Sequence, residues 1–129
     1  MNRAVIAIGS NIRTEKSISD AKERIRREMT VVSESEFVKT EPIGFEDQPD
    51  FVNGVLLVDT DFGLEALEKW LHGLENALGR VRTQNRYRPR PIDLDVVVWN
   101  GKILDSDVFD REYLRRAVLQ VLPDLNILI

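Results

Sequence analysis

The chain has 129 residues, a formal net charge of −4 and no cysteine. A chain of this length supports one hydrophobic core, so we expect a single domain over residues 1–129. The absence of cysteine excludes a disulfide scaffold and a thiolate zinc site. No apolar run reaches the about 20 residues that span a bilayer, and the amino terminus has no signal-peptide pattern, so we expect a cytoplasmic protein with no membrane partner.

The sequence predicts four strands and two helices that alternate along the chain. Continuous or alternating apolar residues predict strands at residues 4–8, 30–40, 51–60 and 92–99. Apolar residues at intervals of three and four predict amphipathic helices at residues 17–29 and 64–78. The order βαββαβ is that of a ferredoxin-like α+β sandwich, with both helices on one face of the sheet and the opposite face left for a site.

Three further segments surround this predicted core. Asn100-Gly101 is a hairpin dipeptide, so residues 102–104 are expected to form a short extra strand. Residues 112–122 are expected to form a short carboxyl-terminal helix. Residues 41–50 contain two prolines, a glycine and several acidic residues, which predicts a loop of the length that often carries function.

Two carboxylates one residue apart are the first candidate functional group. Asp93 and Asp95 lie on a predicted strand, where a period of two points both side chains to one face and Leu94 to the other. Two hard oxygen ligands then share one surface. A metal site and a solvated sheet face are equally good interpretations of this pair taken alone.

The segment just before this pair concentrates positive charge. Five arginines lie between Arg80 and Arg90, more cationic charge than two aspartates neutralise. Arginine binds phosphate oxygens through its planar fork, and carboxylates approach a polyphosphate when a divalent cation screens the repulsion. The combination therefore predicts a magnesium–nucleotide site, although Arg86 and Arg88 taken singly are equally consistent with exposed loop charges.

Three separated blocks resemble the 6-hydroxymethyl-7,8-dihydropterin pyrophosphokinase family. They are Ala7-Ile8-Gly9-Ser10-Asn11, then Thr40-Glu41-Pro42-Ile43-Gly44 through Gln48-Pro49-Asp50-Phe51-Val52-Asn53, then Gly79-Arg80-Val81-Arg82 through Arg90-Pro91-Ile92-Asp93-Leu94-Asp95. The resemblance spans residues 4–104, and the three blocks in this order are highly specific. It implies a ferredoxin-like enzyme that transfers pyrophosphate from ATP to the pterin hydroxymethyl group, releases AMP and uses two Mg²⁺ ions.

The resemblance also implies roles for individual residues. Asp93 and Asp95 would hold both metal ions and would be catalytic together with Arg80 and Arg90, which would contact phosphates. The expected ATP contacts are Glu75, Arg82, Tyr87 and Arg116. The expected lining of the pterin pocket is Thr40, Ile43, Phe51 and Asn53, with Phe51 stacking on the ring and Asn53 hydrogen-bonding its polar edge. From its residues alone, Asn53 is equally consistent with a hydrogen bond between loops.

The carboxyl-terminal quarter departs from the family pattern. A histidine that touches ATP in the family is absent, and Arg116 is the candidate for the family's arginine. Val118 stands where the family has a phenylalanine that covers the second face of the pterin. We hypothesise that Tyr113 supplies this missing aromatic face.

These departures leave alternatives to the pyrophosphokinase interpretation. The chain could be a non-catalytic relative that binds magnesium–nucleotide, or an enzyme with a different acceptor. An RNA-binding ferredoxin-like module is a third class, but such modules use aromatic residues on central strands and a basic face, whereas this protein is acidic. We therefore expect ATP and the pterin as partners, no nucleic acid, and a monomer or weak homo-oligomer.

Overall fold

The computed structural model describes residues 1–41, 50–79 and 92–127. The strands are β1 (Asn2–Ser10), β2 (Thr30–Glu34), β3 (Val38–Thr40), β4 (Phe51–Thr60), β5 (Asp93–Trp99) and β6 (Lys102–Ile103). The helices are α1 (Thr14–Glu28), α2 (Leu64–Ala77), α3 (Asp107–Asp110) and α4 (Glu112–Val121). Among the described helices, none is long and apolar enough to cross a membrane.

The strands form one antiparallel sheet in the order β2-β4-β1-β5-β6, and β3 also pairs with β4. This order, with β1 between β4 and β5, confirms the predicted ferredoxin-like α+β fold and its extra hairpin strand. Helix α1 begins at Thr14 rather than at residue 17, and α3 was not predicted.

The segment 30–40 forms two strands instead of the single predicted one. Ser35 interrupts it, because its hydroxyl oxygen accepts a hydrogen bond from the Val55 amide at 2.8 Å in place of a regular ladder bond. Phe37 then packs against the core beneath α1 and α2, where its ring lies directly against Gly54. A Cβ at Gly54 would approach that ring to 2.6 Å, so this position has no room for a side chain.

Helices lie on both faces of the sheet, and α4 covers part of the face that was expected to be left for a site. Helices α1 and α2 pack on one face over a core that includes Ile6, Ile8 and Leu94. Helix α4 packs on the opposite face, because its apolar stripe is buried against Val5, Leu57 and Val98, among others. The stripe consists of Leu114, Ala117, Val118 and Val121.

A bulge in β5 limits the predicted alternation of residues 92–99. Ile6 pairs with Val96 and Val5 pairs with Val98, so Val97 is an extra residue on β5. Val97 and Val98 therefore both join the core beneath α4, whereas Ile92, Leu94 and Val96 join the core beneath α1 and α2. The alternation holds from residue 92 to residue 97 and shifts after the bulge.

Candidate active site

A cavity of about 420 Å³ lies at the end of the sheet where β1 ends and β5 begins. Its volume falls in the range of small-molecule sites, roughly 300–1,000 Å³. The face of β1, β4 and β5 that α4 leaves uncovered forms its floor, and the segment from Asp105 to Ala117 forms one wall. The opposite wall comes from the end of β3 and from Glu41.

The strand register places the floor residues in rows across the sheet. Asn53 on β4 pairs with Gly9 on β1, and Gly9 pairs with Asp93 on β5. Ala7 on β1 lies opposite Asp95 in the neighbouring row. The two β1 positions, Gly9 and Ala7, have no side chain or only a methyl group. Space therefore remains above β1, between the polar side chains of β4 and β5.

Asp93 and Asp95 both line this cavity, as their spacing predicts, while Leu94 is buried in the core beneath α2. Asp93 is half-buried and Asp95 is exposed. Within the described ranges, no three His, Cys, Asp or Glu side chains are grouped closely enough to hold a metal ion. Two carboxylates nevertheless fit Mg²⁺, which usually takes one or two protein carboxylates and completes its shell with water and substrate phosphates.

Glu75 on α2 supports the strand that carries these carboxylates. Its side chain is fully buried, and its Oε2 accepts a hydrogen bond from the Leu94 amide at 2.8 Å. Strand β6 pairs with β5 at Val98 and Trp99 and does not extend to Leu94. Glu75 therefore supplies the hydrogen-bond acceptor for the Leu94 amide that no described strand supplies there. Because the carboxylate is buried, an ATP contact by Glu75 requires its surroundings to move, and that role stays a prediction.

Thr40, Phe51 and Asn53 line the cavity together. Their contacts with a pterin stay a prediction. The Asn53 side-chain amide donates a hydrogen bond to the Thr40 hydroxyl at 2.6 Å, so Asn53 both faces the cavity and links β4 to β3. A Cβ at Gly9 would lie 2.7 Å from Asn53 Oδ1. Because Gly9 has no Cβ, the Asn53 side-chain amide can lie over β1 at this position.

Tyr113 lies on the α4 side of the same cavity and is half-buried. Burial raises the pKa of its phenol above the ordinary value, Arg111 opposes this shift, and Asp107, Asp105 and Asp93 add to it. The phenol is therefore neutral near pH 7 and lies within electrostatic reach of both Asp93 and the segment around α3.

The remaining candidates divide into two groups. Arg116 lies outside the cavity lining, with its side chain 75% exposed and its Nη1 3.8 Å from Glu112 Oε1. The structure thus does not bring Arg116 to the cavity, and its ATP contact stays a prediction. The candidates Ile43, Arg80, Arg82, Tyr87 and Arg90 lie outside the described residues.

Arg111, Asp105 and Asp107 line the cavity but were not predicted as site residues. All three belong to the segment around α3, where the Asp105 side chain accepts a hydrogen bond from the Asp107 amide at 2.9 Å. A four-residue helix has too few positions to show an apolar period, so no sequence pattern indicates where these side chains point.

The fold and the cavity define a class of protein: a ferredoxin-like domain with a small-molecule site, in which a carboxylate pair on β5 and an aromatic and an amide side chain on β4 lie on either side of β1. Residues 5–123 match the family described as 7,8-dihydro-6-hydroxymethylpterin-pyrophosphokinase. The chain belongs to this family, which confirms the resemblance seen in the three sequence blocks.

Named relatives agree with this assignment. A Haemophilus influenzae 2-amino-4-hydroxy-6-hydroxymethyldihydropteridine pyrophosphokinase is 31% identical, over 97% of this chain and 84% of the relative. The Bacillus subtilis protein of the same name is 31% identical, over 96% of this chain and 78% of the relative. The Schizosaccharomyces pombe folic acid synthesis protein fol1 is 32% identical over 95% of this chain, which corresponds to only 18% of that longer protein.

The hydrogen bond from Leu94 to Glu75 gives a prediction about stability. Glu75→Leu removes the acceptor and leaves a buried amide unpaired, so the free energy of unfolding should fall by about 1–3 kcal/mol. Glu75→Gln keeps a carbonyl oxygen and should cost less. Urea denaturation measures both values, and a Leu variant as stable as the unsubstituted protein would contradict the structural role.

Proposed function

We propose that this protein transfers the pyrophosphoryl group of ATP to the hydroxymethyl oxygen of 6-hydroxymethyl-7,8-dihydropterin and releases AMP. Membership of the pyrophosphokinase family supports the reaction class. The observation that carries the proposal is that one cavity combines the Asp93–Asp95 pair with Thr40, Phe51 and Asn53. A phosphate donor and a flat, polar acceptor can therefore meet in the same cavity.

The phosphate side of the site is assigned to β5. Asp93 and Asp95 would hold Mg²⁺, which when bound offsets the negative charge of the phosphates. Arg80 and Arg90 contact phosphates in this proposal, and Arg82 and Tyr87 extend the ATP site. The number of two Mg²⁺ ions and the contacts of these two phosphate-binding arginines, Arg82 and Tyr87 all come from the family resemblance.

The acceptor side is assigned to β3 and β4. Phe51 offers an aromatic face for stacking on the pterin ring, and Asn53 is held by Thr40 at a position where its amide can meet the polar ring edge. Ile43 completes this side in the proposal.

The reaction joins these two sides. The hydroxymethyl oxygen forms a bond to the β-phosphorus of ATP, while the bond from that phosphorus to the oxygen bridging the α-phosphate breaks. AMP leaves with the bridging oxygen, and the hydroxyl proton is released to solvent. The protein contributes mainly position and electrostatic stabilisation, which are the usual sources of rate in phosphoryl transfer.

A second candidate function is a relative that binds magnesium–nucleotide without this turnover, or an enzyme with another acceptor. One observation favours it: Val118, at the position of the family's pterin-covering phenylalanine, is fully buried in the core beneath α4. It therefore cannot cover the ring. Tyr113 on α4 and Phe51 on β4 are the two aromatic residues of the described cavity lining.

Cytoplasmic location, one domain over residues 1–129 and a monomer or weak homo-oligomer belong to the same proposal. The chain length supports one hydrophobic core and hence one domain.

The proposed reaction predicts that ATP, Mg²⁺ and hydroxymethyl-dihydropterin together yield AMP, measured by chromatography, and that omitting the pterin stops its formation. Asp95→Asn should lower kcat by a factor of about 10² or more, because a ligand of the phosphate-bound cation is lost. Asp61→Asn is the matched control, since Asp61 is exposed beyond the opposite end of β4. Binding of Mg²⁺-ATP with no pterin-dependent AMP would instead support the nucleotide-binding relative.

The position of Tyr113 predicts that it covers the second face of the pterin. Tyr113→Ala should weaken pterin affinity about 2- to 10-fold, because an aromatic pair contributes roughly 0.5–1.5 kcal/mol beyond area burial. Tyr113→Phe keeps the ring and should retain the affinity. Calorimetric titration with a non-hydrolysable ATP analogue present measures both, and an unchanged affinity in the alanine variant rules the stacking out.

A further inference from the structure

Arg111 is the one basic residue among the described residues that line the cavity. It lies between α3 and α4. The described lining also contains five acidic residues: Glu41, Asp93, Asp95, Asp105 and Asp107. An anion entering this part of the cavity is repelled by the carboxylates, so a cation in the same wall has a large influence on what can bind.

The backbone of Arg111 is fixed, whereas its guanidinium is largely unused. The Arg111 amide donates to the Asp107 carbonyl oxygen at 2.8 Å, and the Arg111 carbonyl accepts from the Arg115 amide at 3.0 Å. Within the described part of the chain, the guanidinium makes no hydrogen bond. Its closest charged contact is Asp107, with 3.9 Å between Nε and Oδ1 and 37% of the arginine side chain exposed.

The neighbouring arginines are arranged differently. Arg115 Nη1 donates to the Phe109 carbonyl oxygen at 2.7 Å, and Arg116 extends into solvent beside Glu112. Neither residue lines the cavity. Of the three arginines in residues 107–127, only Arg111 lines the cavity.

Arg111 and the carboxylate pair line the same cavity. Asp93 and Asp95 lie on its floor, and Arg111 belongs to the wall formed by residues 105–117. A phosphate chain bound at Asp93 and Asp95 through a cation would therefore occupy the cavity that the arginine side chain lines.

We propose that Arg111 binds a phosphate oxygen of the nucleotide, exchanging its loose ion pair with Asp107 for a charge-assisted hydrogen bond. This inference rests on the proposed function and assigns the phosphate contact of the carboxyl-terminal segment to Arg111 rather than to Arg116. The guanidinium is suited to this role because its planar set of donors matches phosphate oxygens. The ligand class is a magnesium-complexed polyphosphate.

The test compares Arg111→Met and Arg116→Met with Arg24→Met, a control for the loss of one positive charge on the exposed face of α1. Calorimetry measures the affinity for Mg²⁺ with α,β-methylene-ATP and, separately, for Mg²⁺ with inorganic tripolyphosphate. Arg111→Met should lose about 10- to 100-fold with both ligands, because one hydrogen bond to a charged group is removed. Arg111→Lys should recover part of the loss.

Three results overturn the inference, and the first two concern the variants. One is an Arg111→Met affinity within twofold of the Arg24→Met control, and the other is a loss in Arg116→Met without one in Arg111→Met. A loss with the ATP analogue but not with tripolyphosphate would place Arg111 on the nucleoside and also reject the phosphate contact. Pterin-dependent AMP formation by the unsubstituted protein is measured in parallel, so failure of this inference is distinguished from failure of the proposed function.

Discussion

The antiparallel register of β4, β1 and β5 is the constraint on which the site depends. It sets Asn53, Gly9 and Asp93 side by side and places Asp95 opposite Ala7. A slip of one residue would turn both carboxylates into the core beneath α2 and bring Leu94 to the cavity. Burial of Leu94 and the hydrogen bond from its amide to Glu75 oppose such a slip. The apolar core and the polar site are therefore two results of one strand alignment.

The carboxyl-terminal segment has two functions that its sequence combines. The apolar stripe of α4 closes the second face of the sheet and takes Val118 into the core. The preceding turn and the first turn of α4 instead direct Arg111 and Tyr113 toward the cavity. The segment that closes this face of the sheet thus also forms a wall of the site. If Tyr113 covers the pterin, it replaces the family's phenylalanine, which is Val118 here, from a different position on the same helix.

Local sequence patterns predicted the fold and the floor of the site well. Periods of two and of three to four residues are direct consequences of strand and helix geometry, which is why β4, α2 and the shared face of Asp93 and Asp95 agree with the structure. The coverage of the second face and the cavity position of Arg111 depend instead on tertiary packing of α4. The bulge at Val97 likewise follows from pairing with β1, which a single strand does not encode.

The central claim is that Asp93 and Asp95 hold a nucleotide-bound cation at this end of the sheet. Replacing Mg²⁺ by paramagnetic Mn²⁺ with α,β-methylene-ATP tests it through line broadening in the amide NMR spectrum of the whole protein. The account predicts early broadening at Gly9, Asp93 and Asp95, little at Arg3 near the far end of β1, and loss of the effect in Asp95→Asn. Broadening centred elsewhere, or unchanged in Asp95→Asn, would contradict it.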